Sequence, residues 1–292
     1  SPGDWRGLYF GNYDTGSEVT GATVEYGGSN LSGSLQVYYS DVVVTDSVSR
    51  YSATHGLYAQ GASELEISGS TFSDNDLDGV HLADGTALAD GSAPTFTGNV
   101  LTGNSGYAMR LPADSVGELD ASSTFVGNDD DGVKISGTVV ADATWQAIDV
   151  PLVVTVNVSI EGASSPEVIV EDGLTVAFES GTGLYIGNYN SGALYVDGVT
   201  TGVVFTAWDD TPSAGDWLGV YFGNYDTGSD ILGLHVSYGG GNGYGNLYFW
   251  NADGAVTDST VSWSSTWGIY RSSANPTLTN IVYSDNDSGD LY

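Results

Sequence analysis

The fold class predicted by the sequence is all-β: a parallel β-solenoid of about a dozen coils, each roughly 21–27 residues long. The prediction rests on recurring strand-opening glycines, on apolar alternation after them, and on one long segment that occurs twice. Gly7, Gly33, Gly56, Gly79, Gly106 and Gly132 follow one another at intervals of 26, 23, 23, 27 and 26, and Gly219, Gly245, Gly268 and Gly289 at intervals of 26, 23 and 21. Leu8-Tyr9-Phe10, Val80-His81-Leu82, Val133-Lys134-Ile135, Leu184-Tyr185-Ile186 and Val220-Tyr221-Phe222 follow such glycines. Alternation of period two gives a strand with one buried face. Gly, Asn, Asp and Ser break up every candidate helix. Strands at this interval fit one coil per repeat, stacked at about 4.8 Å. A β-propeller blade needs roughly 40–45 residues, so the coil is the better fit.

The duplication sets the organisation. GDWRGLYFGNYDTGSE, from Gly3, returns as GDWLGVYFGNYDTGSD, from Gly215, so that Trp5 maps onto Trp217 at an offset of 212 in position. The same offset carries VTDS at Val44 onto VTDS at Val256, and His55–Tyr58 onto Trp267–Tyr270. SDND recurs from Ser73 and from Ser284, an offset of 211, so one residue has been lost between. Residues 213–292 therefore repeat 1–80. The expected division is 1–136, the C-terminal coils of one solenoid unit, and 137–292, the opening coils of the next, in a parent of tandem units.

Several coils carry an apolar residue followed three positions later by Asn: Phe72/Asn75, Leu101/Asn104, Phe125/Asn128 and Tyr283/Asn286. Coils in register would stack Asn75, Asn104, Asn128 and Asn286 inside a turn. Their amides could then bond along the axis, as stacked Asn ladders do in cross-β arrays.

Composition excludes several classes. Five Lys+Arg against 37 Asp+Glu leave a formal charge of -32, which opposes nucleic acid and anionic membranes alike. Hydrophobic residues at 40% and aromatics at 12% are too many for a disordered acidic tail. No cysteine is present, so disulfide and thiol chemistry are absent. No apolar run reaches the roughly 18 residues of a membrane span. The expected location is secreted or at the cell surface.

These residues resemble the right-handed parallel β-helix repeat family of bacterial secreted and cell-surface proteins, of the tandem-repeat adhesin or fibre type. The most specific stretch is VEDGLTVAFESGTGLYIGNYNSGALYVDGVTTGVVFTAWDDTPSAGDWLGVYFG, from Val170, with its closing turn at Pro212–Gly219. The resemblance implies a right-handed coil. The family hosts lyases, glycosidases, adhesins and structural fibres, so it does not by itself assign an activity.

Candidate chemistry is sparse. Lyases on this fold need a basic residue and clustered cations, whereas this chain has only Arg6, Arg50, Arg110, Lys134 and Arg271, and the counterpart of Arg271 in the first copy is Ala59. Lys134 and His81, each two residues after a strand glycine, read as solvated outward positions. His55, His81 and His235 show no metal-ligand spacing. Asp74, Asp76 and Asp78 before Gly79 begin like a calcium loop, which Asp285 and Asp287 echo, but Gly85 stands where the twelfth-position Glu belongs. The aromatic residues are the strongest lead. Tyr9, Tyr58, Tyr185, Tyr221 and Tyr270 each follow a strand glycine by two, between inward apolar positions, and should form outward rows able to meet sugar rings or a neighbouring fibre.

The expected function is a non-catalytic structural or adhesive module of a repetitive extracellular filament or adhesin. It requires no cofactor, with calcium as the ion its carboxylates would take. Its expected partners are copies of itself or surface glycans. The alternative is a carbohydrate-binding β-helix, or one that degrades polysaccharide as a lyase or hydrolase.

Overall fold

The computed structural model describes residues 1–29 and 32–292. It is an all-β parallel solenoid of about 11 turns. One six-residue 3-10 helix, Ala113–Glu118, interrupts the strands among the described residues. No helix there is long and apolar enough to cross a membrane. The chain divides into two compact units, one of Ser1–Lys134 with Ile148–Pro151, the other of Ile135–Ala147 with Leu152–Tyr292.

In the first unit each coil contributes a strand to three parallel sheets. One sheet holds Leu8–Phe10, Gly33–Tyr38, His55–Gln60, Val80–Leu82 and Tyr107–Pro112. A second holds Ser17–Thr20, Val42–Thr45, Glu64–Ser68 and Ala87–Leu88. The third holds Thr23–Glu25, Val48–Arg50, Thr71–Ser73 and Val100–Thr102. The second unit repeats the scheme, its first sheet carrying Gly183–Ile186, Gly219–Phe222, Gly245–Trp250, Trp267–Ser272 and Gly289–Leu291. Parallel sheets are commonly covered on both faces and then read as unbroken apolar runs. Here one face meets water, which is why alternation survives in the sequence.

Register turns the alternation into files. Leu35, Leu57, Val80 and Met109 align from coil to coil, all buried. In the second unit Leu184, Val220, Leu247 and Ile269 do the same. Aromatic rings stack inside that unit, Phe222 on Phe249 with centroids 4.4 Å apart, and Phe178 on Trp217 at 4.0 Å. Burying such a side chain contributes about 1.5–3 kcal/mol.

Sharp corners join the strands, many of them turned by a single left-handed residue. One file of corners runs through Tyr26, Tyr51 and Asp74, with φ of 61°, 56° and 52°, and its counterparts in the repeat are Tyr238, Trp263 and Asp285. A side chain in this conformation costs roughly 1–2 kcal/mol. The rings offset part of it, since Tyr26 and Tyr51 stack at 5.3 Å and Tyr238 and Trp263 at 6.1 Å.

Just beyond the first file of corners stand the asparagines. Asn75 Nδ2 donates to Asn104 Oδ1 at 2.8 Å, and Asn104 Nδ2 donates to Asn128 Oδ1 at 2.8 Å. The backbone N–H of Ser52 caps the file by donating to Asn75 Oδ1 at 3.0 Å. Asn286 belongs to the second unit, where the N–H of Ser264 donates to its Oδ1 at 3.1 Å. A serine and asparagine file lies beside the first: Ser47 N–H donates to Ser70 Oγ, Ser70 N–H to Asn99 Oδ1, and Asn99 N–H to Ser123 Oγ. These side chains satisfy backbone donors that the corners leave without a strand partner.

Candidate functional site

Two groups of side chains stand out, one in each unit. The first is a buried charged cluster built by two successive coils. His55 opens the strand His55–Gln60, and the pairing of Tyr58 with His81 brings the next coil alongside. Asp78 lies in the turn before that strand, its carbonyl accepting the N–H of Gly56 at 3.2 Å. Its side chain is 1% exposed. Asp78 Oδ2 accepts from Arg110 Nε at 2.6 Å, and Oδ1 accepts from the N–H of Tyr107 at 3.0 Å. His55 Nδ1 stands 3.3 Å and His81 Nδ1 3.4 Å from the same Oδ2. The imidazoles meet edge to face, centroids 4.6 Å apart.

Electrostatics follow from this packing. Burial pushes His55 below the ordinary histidine range, outweighing the neighbouring Asp78. The imidazole is therefore neutral near pH 7, and its Nδ1 accepts the N–H of Asp78 at 3.3 Å. Burial alone would raise the Asp78 carboxyl. The Arg110 guanidinium, 2.6 Å away, opposes that, and the carboxyl sits well below the usual carboxylate range. Arg110 and Lys134 both lie over the Tyr107 ring, at 5.5 and 4.3 Å from its centroid.

Three sequence expectations are corrected here. His55 and His81 do converge, because stacking brings residues one coil apart into contact whatever their separation along the chain. His81 is half-buried against His55 rather than solvated, and Lys134 packs on Tyr107. Asp74, Asp76 and Asp78 do not form a common ion site: Asp74 and Asp76 are exposed, while Asp78 is buried and bound by Arg110. Asp285 and Asp287 are likewise exposed. Among the described residues, His55, Asp78 and His81 are the set of three whose ligand atoms, all within 4.8 Å of one another, could share an ion. His235 lies elsewhere, exposed on the strand Leu234–Ser237.

The second group is an aromatic row. Tyr185, Tyr221, Tyr248 and Tyr270 are in direct register on successive coils. Their centroids are 5.8, 5.2 and 5.3 Å apart, and Tyr292 extends the row, stacked on Tyr270 at 4.4 Å. Tyr244 and Trp250 flank it. Burial and neighbouring phenols push Tyr221 up to about 12, and burial raises Tyr185, Tyr248 and Tyr270 too. These four phenols are thus uncharged on a chain of charge -32. In the first unit, Tyr9 and Tyr58 are separated in register by Gln36, and the Tyr38 ring fills the gap, 5.4 Å from Tyr9 and 6.3 Å from Tyr58. Counting two positions from a glycine misses Tyr248, which stands three after Gly245; alignment on Leu247-Tyr248-Phe249 would have found it.

No curated protein and no solved structure matched this chain. Residues 6–150 match the right handed beta helix region family. The match covers about half of the sequence, and the parallel coils, the αL corners and the in-register files carry the same architecture through both units. The chain belongs to the right-handed β-helix family.

Proposed function

We propose that the chain is a non-catalytic repeat module of an extracellular or cell-surface adhesin or filament, and that it holds glycan along the tyrosine row of residues 185–292. The observation that carries this reading is the row itself. It offers one ring per coil at the interstrand spacing of about 4.8 Å, and Tyr185, Tyr221 and Tyr248 are each held between buried apolar neighbours, as Tyr221 is between Val220 and Phe222. Apolar ring faces with a phenolic tip suit the C–H faces and hydroxyls of sugars. The neutral row also spares an acidic chain the cost of burying charge on binding. Assembly with copies of itself belongs to the same proposal, since an exposed aromatic row can pack against a neighbouring fibre as well as against sugar.

The test is binding of the full chain to a panel of immobilised glycans, repeated with Tyr221→Ala and Tyr248→Ala together. Binding that the double variant loses, with the melting temperature little changed, supports the reading. Absence of binding to every glycan removes the ligand, and turnover of any polysaccharide removes the non-catalytic assignment.

A further inference from the structure

We propose that His55, Asp78 and His81 form a binding site for one divalent transition-metal ion of the zinc class, which clamps two successive coils of the first unit. Four observations bear on it. His55 Nδ1 and His81 Nδ1 stand 3.3 and 3.4 Å from Asp78 Oδ2. Ligands of tetrahedral zinc at about 2.0–2.1 Å are necessarily separated by roughly 3.3–3.4 Å, so two edges of the tetrahedron are already at length, and His55 Nδ1 would exchange its long 3.3 Å bond from the Asp78 N–H for the ion. His81 Nδ1 is shut off from solvent and has no hydrogen-bond partner among the described residues. An orphaned ring nitrogen aimed at a carboxylate is what a ligand atom looks like before its ion arrives.

The donor set also fits. Two imidazole nitrogens and one carboxylate oxygen suit zinc and its neighbours better than calcium or magnesium. The N–H of Tyr107, on Oδ1, already orients the carboxylate as an outer partner of a metal ligand does, while Arg110 Nε, 2.6 Å from Oδ2, would share that oxygen with the ion. The side chain of His81 is 24% exposed, so a turn of its ring would admit the ion. Solvent would supply the fourth ligand.

Finally, the three positions change together in the repeat. His55, Asp78 and His81 correspond to Trp267, Gly289 and Tyr292, and the rings of Trp267 and Tyr292 lie 5.2 Å apart where the imidazoles lie in the first copy. Not one ligand type survives there, so one ion per chain is the expected stoichiometry, not two.

Zinc titration of the full chain by calorimetry, in excess magnesium to occupy the surface carboxylates, tests the proposal. One zinc should bind per chain, and His81→Gln and His55→Gln should each weaken it at least tenfold. Cobalt bound to the unaltered chain should give the intense visible bands of a tetrahedral site, a readout that needs no variant to fold. Absence of zinc uptake, uptake unchanged in both variants, or weak octahedral cobalt bands would each overturn the assignment.

Discussion

Segment 1–80 and its repeat, 213–292, hold the same coils and put different chemistry on them. In the first, His55 and His81 close over the buried Asp78; in the second, Trp267 and Tyr292 pack over Gly289. The third position follows from the first two, because a Cβ at Gly289 would come within 2.8 Å of the Trp267 ring. Asp14 and Asp226 make a second pair. Asp14 accepts from Ser17 Oγ and Ser40 Oγ and titrates low, with Ser17 as the main cause. Asp226 keeps the equivalent bond from Ser229 but has Ala252 where Ser40 stands, and burial raises it. Trp5 is 40% exposed, whereas Trp217 is 0% exposed against Phe178. A repeated coil thus leaves each site free to differ, since burial and partners are set by the coils above and below and not by the coil's own sequence.

The comparison can be broken most sharply at Trp217. Trp217→Ala should cost about 3–5 kcal/mol, while Trp5→Ala, at a ring 40% exposed whose Nε1 donates to the Glu25 carbonyl at 2.7 Å, should cost about 1 kcal/mol. Denaturant melts that show similar costs for the two would mean their burial differs little. Asp78→Ala strands the hydrogen-bonding groups around it and, with Arg110 40% exposed and screened by solvent, should cost about 2–3 kcal/mol. Residue-resolved hydrogen exchange under urea should place the loss in the first unit, sparing the coils around Trp267; equal loss in both would sink the idea of independent sites. Asn104, bonded on both sides, should lose about 1–3 kcal/mol on replacement by Ala, and Asn286→Ala less, as measured by thermal unfolding.

Acid should separate the units further. His55 is depressed in the fold, so below its ordinary value of 6.5 the unfolded chain takes up a proton that the folded chain refuses. Its stabilising contribution is present above 6.5 and is lost as pH falls through that range. Asp78, also depressed, loses its contribution below the ordinary 3.8. Asp226 has the opposite sign: raised in the fold, it stabilises below 3.8 and loses that contribution as pH rises through its folded value. Melting followed at Tyr58 and at Tyr221 between pH 7 and 5 should show the first unit weakening more. The smallest effect belongs to Ala252→Ser, which restores the missing hydroxyl and should lower the Asp226 carboxyl, read by carbon NMR; an unmoved carboxyl would mean that burial alone sets it.

Much of this was legible in one dimension. The glycine spacing and the Leu-Tyr-Phe alternation are local properties, and stacking repeats them faithfully. The asparagines were legible because Phe72/Asn75 and Leu101/Asn104 recur at one place in the coil. The metal-type cluster was not, because Asp78 reads like any turn aspartate and His55 like an unremarkable neighbour of a strand glycine. Their meeting depends on register between two coils, and register is fixed by the whole apolar file, not by the residues that happen to meet. Tyr248 was missed for a related reason, since Asn246 shifts the ring by one residue relative to its glycine while Leu247 keeps its place in the core.

By itself, then, the sequence determined a right-handed family resemblance, short coils each opened by a strand glycine, a segment repeated at an offset of 212, and an outward tyrosine series on an acidic chain. Only the tertiary structure decided that His55, Asp78 and His81 share a charge centre, that Asp76 and Asp78 part company, and that Trp217 is core where Trp5 is surface. The division has one physical cause. Strand and turn preferences are spent within a coil and can be read along the chain, whereas burial, ion pairing and proton affinity arise between coils, where side chains far apart in sequence become neighbours at about 4.8 Å.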